Sequence, residues 1–171
     1  MSTIDPFQII DFPGMSTVTI RAEDWPMSRI QELFDPAFTA LGQQIAAGTF
    51  TPAGPAFARY DAPPTDTATL EIGFPVEEPI KEEVQSGEFF IRNSSLPEGR
   101  LAISKHHGSY DLLPQAWEDF LAQITDAGHT YGAPSWEAYD TMPTPDMDPA
   151  DLITGLAVPV EEAPQSSAAN I

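Results

Sequence analysis

Apolar positions along the chain follow two rhythms. Between Ser28 and Ala47, Ile30, Phe34, Phe38, Leu41 and Ile45 recur at steps of three and four. From about Asp111 to Ala127, Leu113, Trp117, Phe120, Leu121 and Ile124 do the same. Side chains spaced in this way share one face of an α-helix, so two amphipathic helices are predicted. Gly48 stops the first; Asp111 as candidate cap and Pro114 in the first turn mark the start of the second. Pro36 falls inside the first stripe, which predicts a kink or a restart at Asp35.

Around the helices the pattern shortens to β-rich runs bounded by turn residues. Residues 7–12 and 16–21 flank Pro13-Gly14 and read as a strand pair. Residues 56–60 and 67–76 follow the first helix, joined by a Pro63-Pro64 loop. Residues 88–93 and 100–106 lie around Leu96-Pro97-Glu98-Gly99, and residues 135–140 and 151–160 follow the second helix. Each half then reads β-β-α-β-β, linked by the stretch from Pro79 to Gly87.

The two halves are copies. Gly54-Pro55-Ala56-Phe57-Ala58-Arg59-Tyr60-Asp61 returns as Ala133-Pro134-Ser135-Trp136-Glu137-Ala138-Tyr139-Asp140, keeping Pro, an aromatic, Tyr and Asp in register. At the same offset, Phe34, Phe38, Leu41 and Ile45 correspond to Leu113, Trp117, Phe120 and Ile124. A helical stripe and a strand motif sharing one offset imply a duplicated supersecondary unit. Farther along, Phe74-Pro75-Val76 returns as Val158-Pro159-Val160, so the second copy has a longer hairpin loop, placed between Thr141 and Pro149. The predicted architecture is α+β, with two pseudo-symmetric repeats at about 6–78 and 88–160 in one domain of residues 1–160. A polar, disordered tail is expected over 161–171.

Composition narrows the function. With 171 residues, 42% hydrophobic, the chain can build a sizeable core. It has no cysteine, which excludes a disulfide framework, a thiolate metal site and a cysteine nucleophile. A formal charge of −19, from 26 acidic and 7 basic residues, argues against direct nucleic-acid binding, which needs clustered Lys and Arg. The N-terminus lacks signal-peptide character and no apolar run could span a bilayer, so a soluble, cytoplasmic protein without membrane association is expected.

Together, Lys105-His106-His107-Gly108-Ser109-Tyr110 before a helix, then Gly128, Ala133-Pro134-Ser135-Trp136-Glu137-Ala138-Tyr139 and Val158-Pro159-Val160 resemble the GyrI-like domain. That domain binds effectors in bacterial multidrug-responsive transcription activators and also occurs alone. The resemblance runs from about Phe7 to Val160, with Ser109 standing where Pro is common. It implies helices packed on curved antiparallel sheet, a ligand cleft between the halves, and an acidic residue of the Glu-x-Tyr strand in an aromatic-lined pocket. Here that acid is Glu137. A carboxylate held in low dielectric attracts a lipophilic cation, and aromatic faces add cation–π attraction.

Strand alternation refines the site. Ser135, Glu137 and Tyr139 share one face, Trp136 and Ala138 the other, so Glu137 and Tyr139 are the leading ligand-binding pair and Trp136 the weakest candidate. In the first copy Ala58 and Tyr60 occupy the corresponding face, which makes Tyr60 a candidate without a matching acid. Tyr110, after a glycine turn, is placed at the cleft mouth. Trp117 and Phe38, on apolar helical stripes, read as core.

Other chemistries find little support. His106 and His107 alternate on a strand and His129 follows the second helix, so no metal set emerges and no cofactor is expected. There is no Gly-x-Ser-x-Gly elbow or phosphate-cradling glycine loop, and Asp146-Met147-Asp148 lacks the calcium-loop pattern. Three functions follow from the resemblance. The first is a stand-alone module that senses or sequesters toxic aromatic or cationic compounds. The second is hydrolysis of cyclopropane-containing compounds, with Glu137 as general base and Tyr139 orienting or protonating the substrate. The third is an acidic DNA-mimic that modulates gyrase. Because the sheet begins by Phe7, with no helix-turn-helix before it, a separate protein partner of unknown identity is left open.

Overall fold

Two amphipathic helices and ten strands form in the computed structural model, which describes residues 4–62, 65–141 and 146–162. In chain order they are β1 (Gln8–Phe12), β2 (Met15–Pro26), α1 (Ile30–Ala46), β3 (Phe57–Tyr60), β4 (Thr67–Pro75), β5 (Val84–Ser86), β6 (Phe89–Leu96), β7 (Gly99–His107), α2 (Leu113–Asp126), β8 (His129–Tyr131), β9 (Ser135–Tyr139) and β10 (Ile153–Glu162). The expected Pro63-Pro64 loop, residues 142–145 of the loop after Thr141, and the tail beyond residue 162 lie outside the described residues. The architecture is α+β with antiparallel sheet, as the sequence predicts.

The chain divides into two compact units, and their boundaries differ from those of the sequence repeat. Pro13–Glu98 is one; the other joins residues 99–162 to the N-terminal residues 4–12. Strand pairing explains the difference. Both edges of β2 are occupied, one by β4 and the other by β6, so β1 cannot form the expected hairpin with it. Instead β1 pairs with β7, Gln8 opposite Ile103 and Phe12 opposite Gly99. Likewise β6 lies between β2 and β5 and makes no hairpin with β7. Period-two patterning identifies a strand, but it does not say which neighbour fills its edge.

Within Pro13–Glu98 the strands run in the order β3-β4-β2-β6-β5. α1 runs from Ile30 to Ala46 despite Pro36, which sits at an exposed position, so the anticipated restart at Asp35 does not occur. Its fully buried residues are Leu33, Ala37, Ala40 and Leu41, with Phe34 and Phe38 flanking them. The centre of the buried face is therefore about one residue away from the predicted stripe, and the small alanines let the helix approach closely. Phe38, Phe74 and Phe50 continue the core as edge-to-face and tilted ring contacts at 6.3 and 6.2 Å.

The other unit orders its strands β1-β7-β10-β9, with β8 also on β10. α2 lays Leu113, Ala116, Phe120 and Ile124 against Ala102, Leu156, Val158 and Val160. Burying Leu113, Phe120 and Ile124 contributes about 1.5–3 kcal/mol each, which fixes the helix over one sheet face. A 3-10 turn at Tyr110–Leu112 precedes α2 and puts Leu112 at its N-cap, so Asp111 is not the cap and makes no capping bond. Pro114 lies in the first turn as predicted. Glu161 and Glu162, read as tail, instead extend β10 and pair with Thr130 and His129 of β8.

Candidate functional site

β9 is the strand that carries the repeated motif, and its pleat decides what meets α2. Glu137 lies opposite Leu156 and Tyr139 opposite Thr154 on β10, so both side chains project from the face that α2 covers. Glu137 is 8% exposed and Tyr139 6%. The Tyr139 hydroxyl donates to Glu137 Oε2 at 2.9 Å. From above, Trp117 of α2 donates its indole N–H to Glu137 Oε1 at 2.7 Å. Each carboxylate oxygen thus accepts one hydrogen bond from a neutral donor.

Among the described residues no Lys, Arg or His pairs with Glu137. Burial pushes its carboxyl pKa up, since the charged form loses hydration, and the bonds from Trp117 and Tyr139 pull part of that shift back. When ionised, the carboxylate is solvated by two dipoles and balanced by no cation among the described residues. Tyr110 packs on Tyr139, ring centroids 5.8 Å apart at 65°, and its phenol pKa is raised first by burial and then by the Glu137 charge. Trp117 packs on Phe120 at 5.6 Å.

The other unit contains a useful contrast. Glu71 on β4 is equally buried, at 8% exposure, but it accepts from the Arg21 guanidinium at 3.1 Å and from Ser94 Oγ at 2.5 Å. Arg21 also donates to Asp61 at 2.7 Å. That carboxylate is neutralised inside the fold, as buried charges usually are. Glu137 is not.

Of the sequence candidates, the structure gathers Glu137, Tyr139 and Tyr110. Trp136 projects from the opposite face of β9 and packs against Phe12, ring centroids 5.8 Å apart. Tyr60 is buried on β3 in Pro13–Glu98. The residue sequence reasoning missed is Trp117, taken as plain core. A signal was present: the second copy has Trp117 and Glu137 where the first has Phe38 and Ala58, so donor and acceptor change together. An indole in an apolar stripe also needs an acceptor for its N–H. His106 is buried with Nε2 3.0 Å from the Ser109 carbonyl, whereas His107 is exposed beside Asp5. His129 lies in β8 rather than in a loop.

Solved structures share the fold. The C-terminal domain of EcmrR superposes with a TM-score of 0.73 at 20% identity, covering 92% of this chain and 98% of that one. Against EcmrR in its DNA complex, at a TM-score of 0.74 and 20% identity, 95% of this chain is covered but only 59% of the EcmrR chain. SAV2435 bound to tetraphenylphosphonium matches with a TM-score of 0.61 at 13% identity, over 91% and 93% of the two chains. A hydrolase from Listeria innocua matches at 0.56 and 14%, over 91% of each. Comparison with curated proteins finds no match. The model of the GyrI-like small molecule binding domain matches residues 5–161, nearly the full span of the duplicated sheet-and-helix unit, and the chain belongs to that family.

Proposed function

We propose that this domain binds lipophilic aromatic or cationic molecules at Glu137 and so senses or sequesters toxic compounds. The supporting observation is the buried Glu137 carboxylate, held by Trp117 and Tyr139 and balanced by no cation among the described residues. A ligand cation would supply the missing charge in a medium where Coulomb attraction is far stronger than in water. Tyr110 and Tyr139 offer ring faces whose attraction depends little on ligand shape, which suits broad specificity. The fold likeness to SAV2435 bound to tetraphenylphosphonium makes that cation a natural probe.

The test is a thermal-shift panel of lipophilic cations and neutral analogues of similar size on the parent and on Glu137→Gln. Cations should raise the parent's Tm more than neutral analogues do, and the variant should lose that preference. Equal shifts in both proteins would refute the reading.

A hydrolase is the second reading, favoured by the Tyr139–Glu137 hydrogen bond together with a carboxyl whose pKa is raised by burial. Glu137 would take a proton from water while Tyr139 orients or protonates the substrate. Turnover of a cyclopropane-containing electrophile, lost in Glu137→Gln while binding persists, would favour it over simple capture.

A further inference from the structure

A cavity of about 860 Å³ opens within Pro13–Glu98 and shares no lining residue with the Glu137 site. Its walls are residues 48–53, which follow α1, and residues 77–82, which follow β4. The repeat explains why the space exists. In the second copy the counterpart of residues 50–52 is β8, and it pairs with Val160, Glu161 and Glu162 of β10. The first copy keeps the same sequence there, Pro75-Val76-Glu77-Glu78 against Pro159-Val160-Glu161-Glu162. It also keeps one equivalent bond, Ala53 N–H to the Pro75 carbonyl at 2.7 Å, matching Gly132 N–H to the Pro159 carbonyl at 3.0 Å.

Beyond that bond the copies diverge. Pro52 stands in place of Tyr131 and has no N–H to give, and Val76 N–H is taken by the Ser16 carbonyl at 2.9 Å. Residues 50–52 and 76–78 form no strand pair. Two segments that form a strand pair in one copy are thus unpaired in the other beyond the Ala53–Pro75 bond, and both line the cavity.

The lining is segregated by polarity. Phe50 and Ile80 are buried at 5% and 8% exposure and form an apolar floor. Asn93 clamps that floor: its Oδ1 accepts from Ile80 N–H at 2.9 Å and its Nδ2 donates to the Ile80 carbonyl at 2.7 Å. Glu77, Glu78 and Glu82 are exposed at the rim and Lys81 is the only cation in the lining, while the negative end of α1 arrives at Gly48.

We propose that this gap is a docking groove for an extended segment of a partner protein in which Lys or Arg alternates with aliphatic residues. An extended chain sends successive side chains to opposite sides, so aliphatic groups meet the floor and cations meet the rim. A small free cation is disfavoured, because exposed, salt-screened carboxylates hold a single charge weakly.

The test is selection of random heptapeptides displayed on phage against the intact protein, then fluorescence anisotropy with the enriched peptide. Enriched sequences should alternate cationic and aliphatic residues and bind more weakly at high salt. Glu77→Gln, Glu78→Gln and Glu82→Gln together, all at exposed positions, should weaken binding about tenfold. Amide NMR shifts should concentrate at residues 48–53 and 77–84. Glu137→Gln should leave this binding unchanged, which separates the groove from the Glu137 site. Failure to enrich that pattern, equal binding by the triple variant, shifts located elsewhere, or displacement of the peptide by equimolar spermidine would each overturn the proposal.

Discussion

Replacing Trp117 by Phe installs in the second copy what the first copy holds at Phe38, and it removes the donor to Glu137 Oε1. A hydrogen bond to a charged acceptor contributes about 1.5–3 kcal/mol, and a buried carboxylate oxygen left without a donor loses that support in full. The smaller ring adds a packing loss of its own. A double-mutant cycle with Glu137→Ala, which reproduces Ala58, separates the two effects. In that background the indole N–H has lost its acceptor as well, so Trp117→Phe should cost no more than the packing loss. The coupling energy should be about 1.5–3 kcal/mol, measured by urea unfolding of all four proteins with circular dichroism. For a chain of this length that corresponds to roughly 3–12 °C in Tm. The coupling should shrink as pH falls and Glu137 takes up a proton, because a neutral acceptor gains less from the same donor. If Trp117→Phe cost the same in both backgrounds, the indole would be a packing residue and the carboxylate would be solvated in some other way.

Further expectations follow from the same geometry. Glu137→Gln can keep both bonds, its carbonyl accepting from Trp117 and its amide donating to the Tyr139 oxygen, while removing the buried charge. Because burial raises the folded-state pKa, the ionised carboxylate weakens the fold above that raised value. The penalty is relieved as pH falls through it and is gone below the ordinary carboxylate range. The variant should therefore melt above the parent at mildly alkaline pH and converge with it in acid; parallel melting curves at every pH would contradict this. The Tyr110 phenol, raised by burial and then by Glu137, should titrate lower in Glu137→Gln yet stay above an ordinary tyrosine, read from ring-carbon NMR shifts. An unchanged Tyr110 titration would show that it does not sense the carboxylate. Gly73→Ala should prevent folding or lower expression sharply, because a Cβ there would collide with the Val18 carbonyl and press on Thr19 across the β2–β4 pair. Normal expression and melting would show that those strands can separate.

Much of this fold is legible in the residues, for identifiable reasons. Helical stripes at steps of three and four marked α1 and α2, and the motif shared by Phe57–Tyr60 and Ser135–Tyr139 marked the duplication. Strand periodicity alone placed Glu137 and Tyr139 on one face. Pairing partners were harder to read, because Pro13-Gly14 signals a turn whether the next strand returns beside β1 or leaves it. β5 and β8, three residues each, are too short to carry a periodic signal. Trp117 was hidden by its stripe, where a large apolar residue is fully explained by core packing until its N–H is counted. The Arg21–Glu71–Ser94 contacts join β2, β4 and β6 across long sequence separations, which no local pattern reports.

The proposed function stands or falls on whether a bound cation supplies the counter-charge of buried Glu137. The most direct test is calorimetric titration of tetraphenylphosphonium into the parent and into Glu137→Gln at alkaline and acidic pH. Affinity for the parent should fall as pH drops through the raised Glu137 pKa, and the variant should bind at least about tenfold more weakly with no such pH dependence. Equal affinity in the two proteins, or a pH dependence that survives the substitution, would contradict the account.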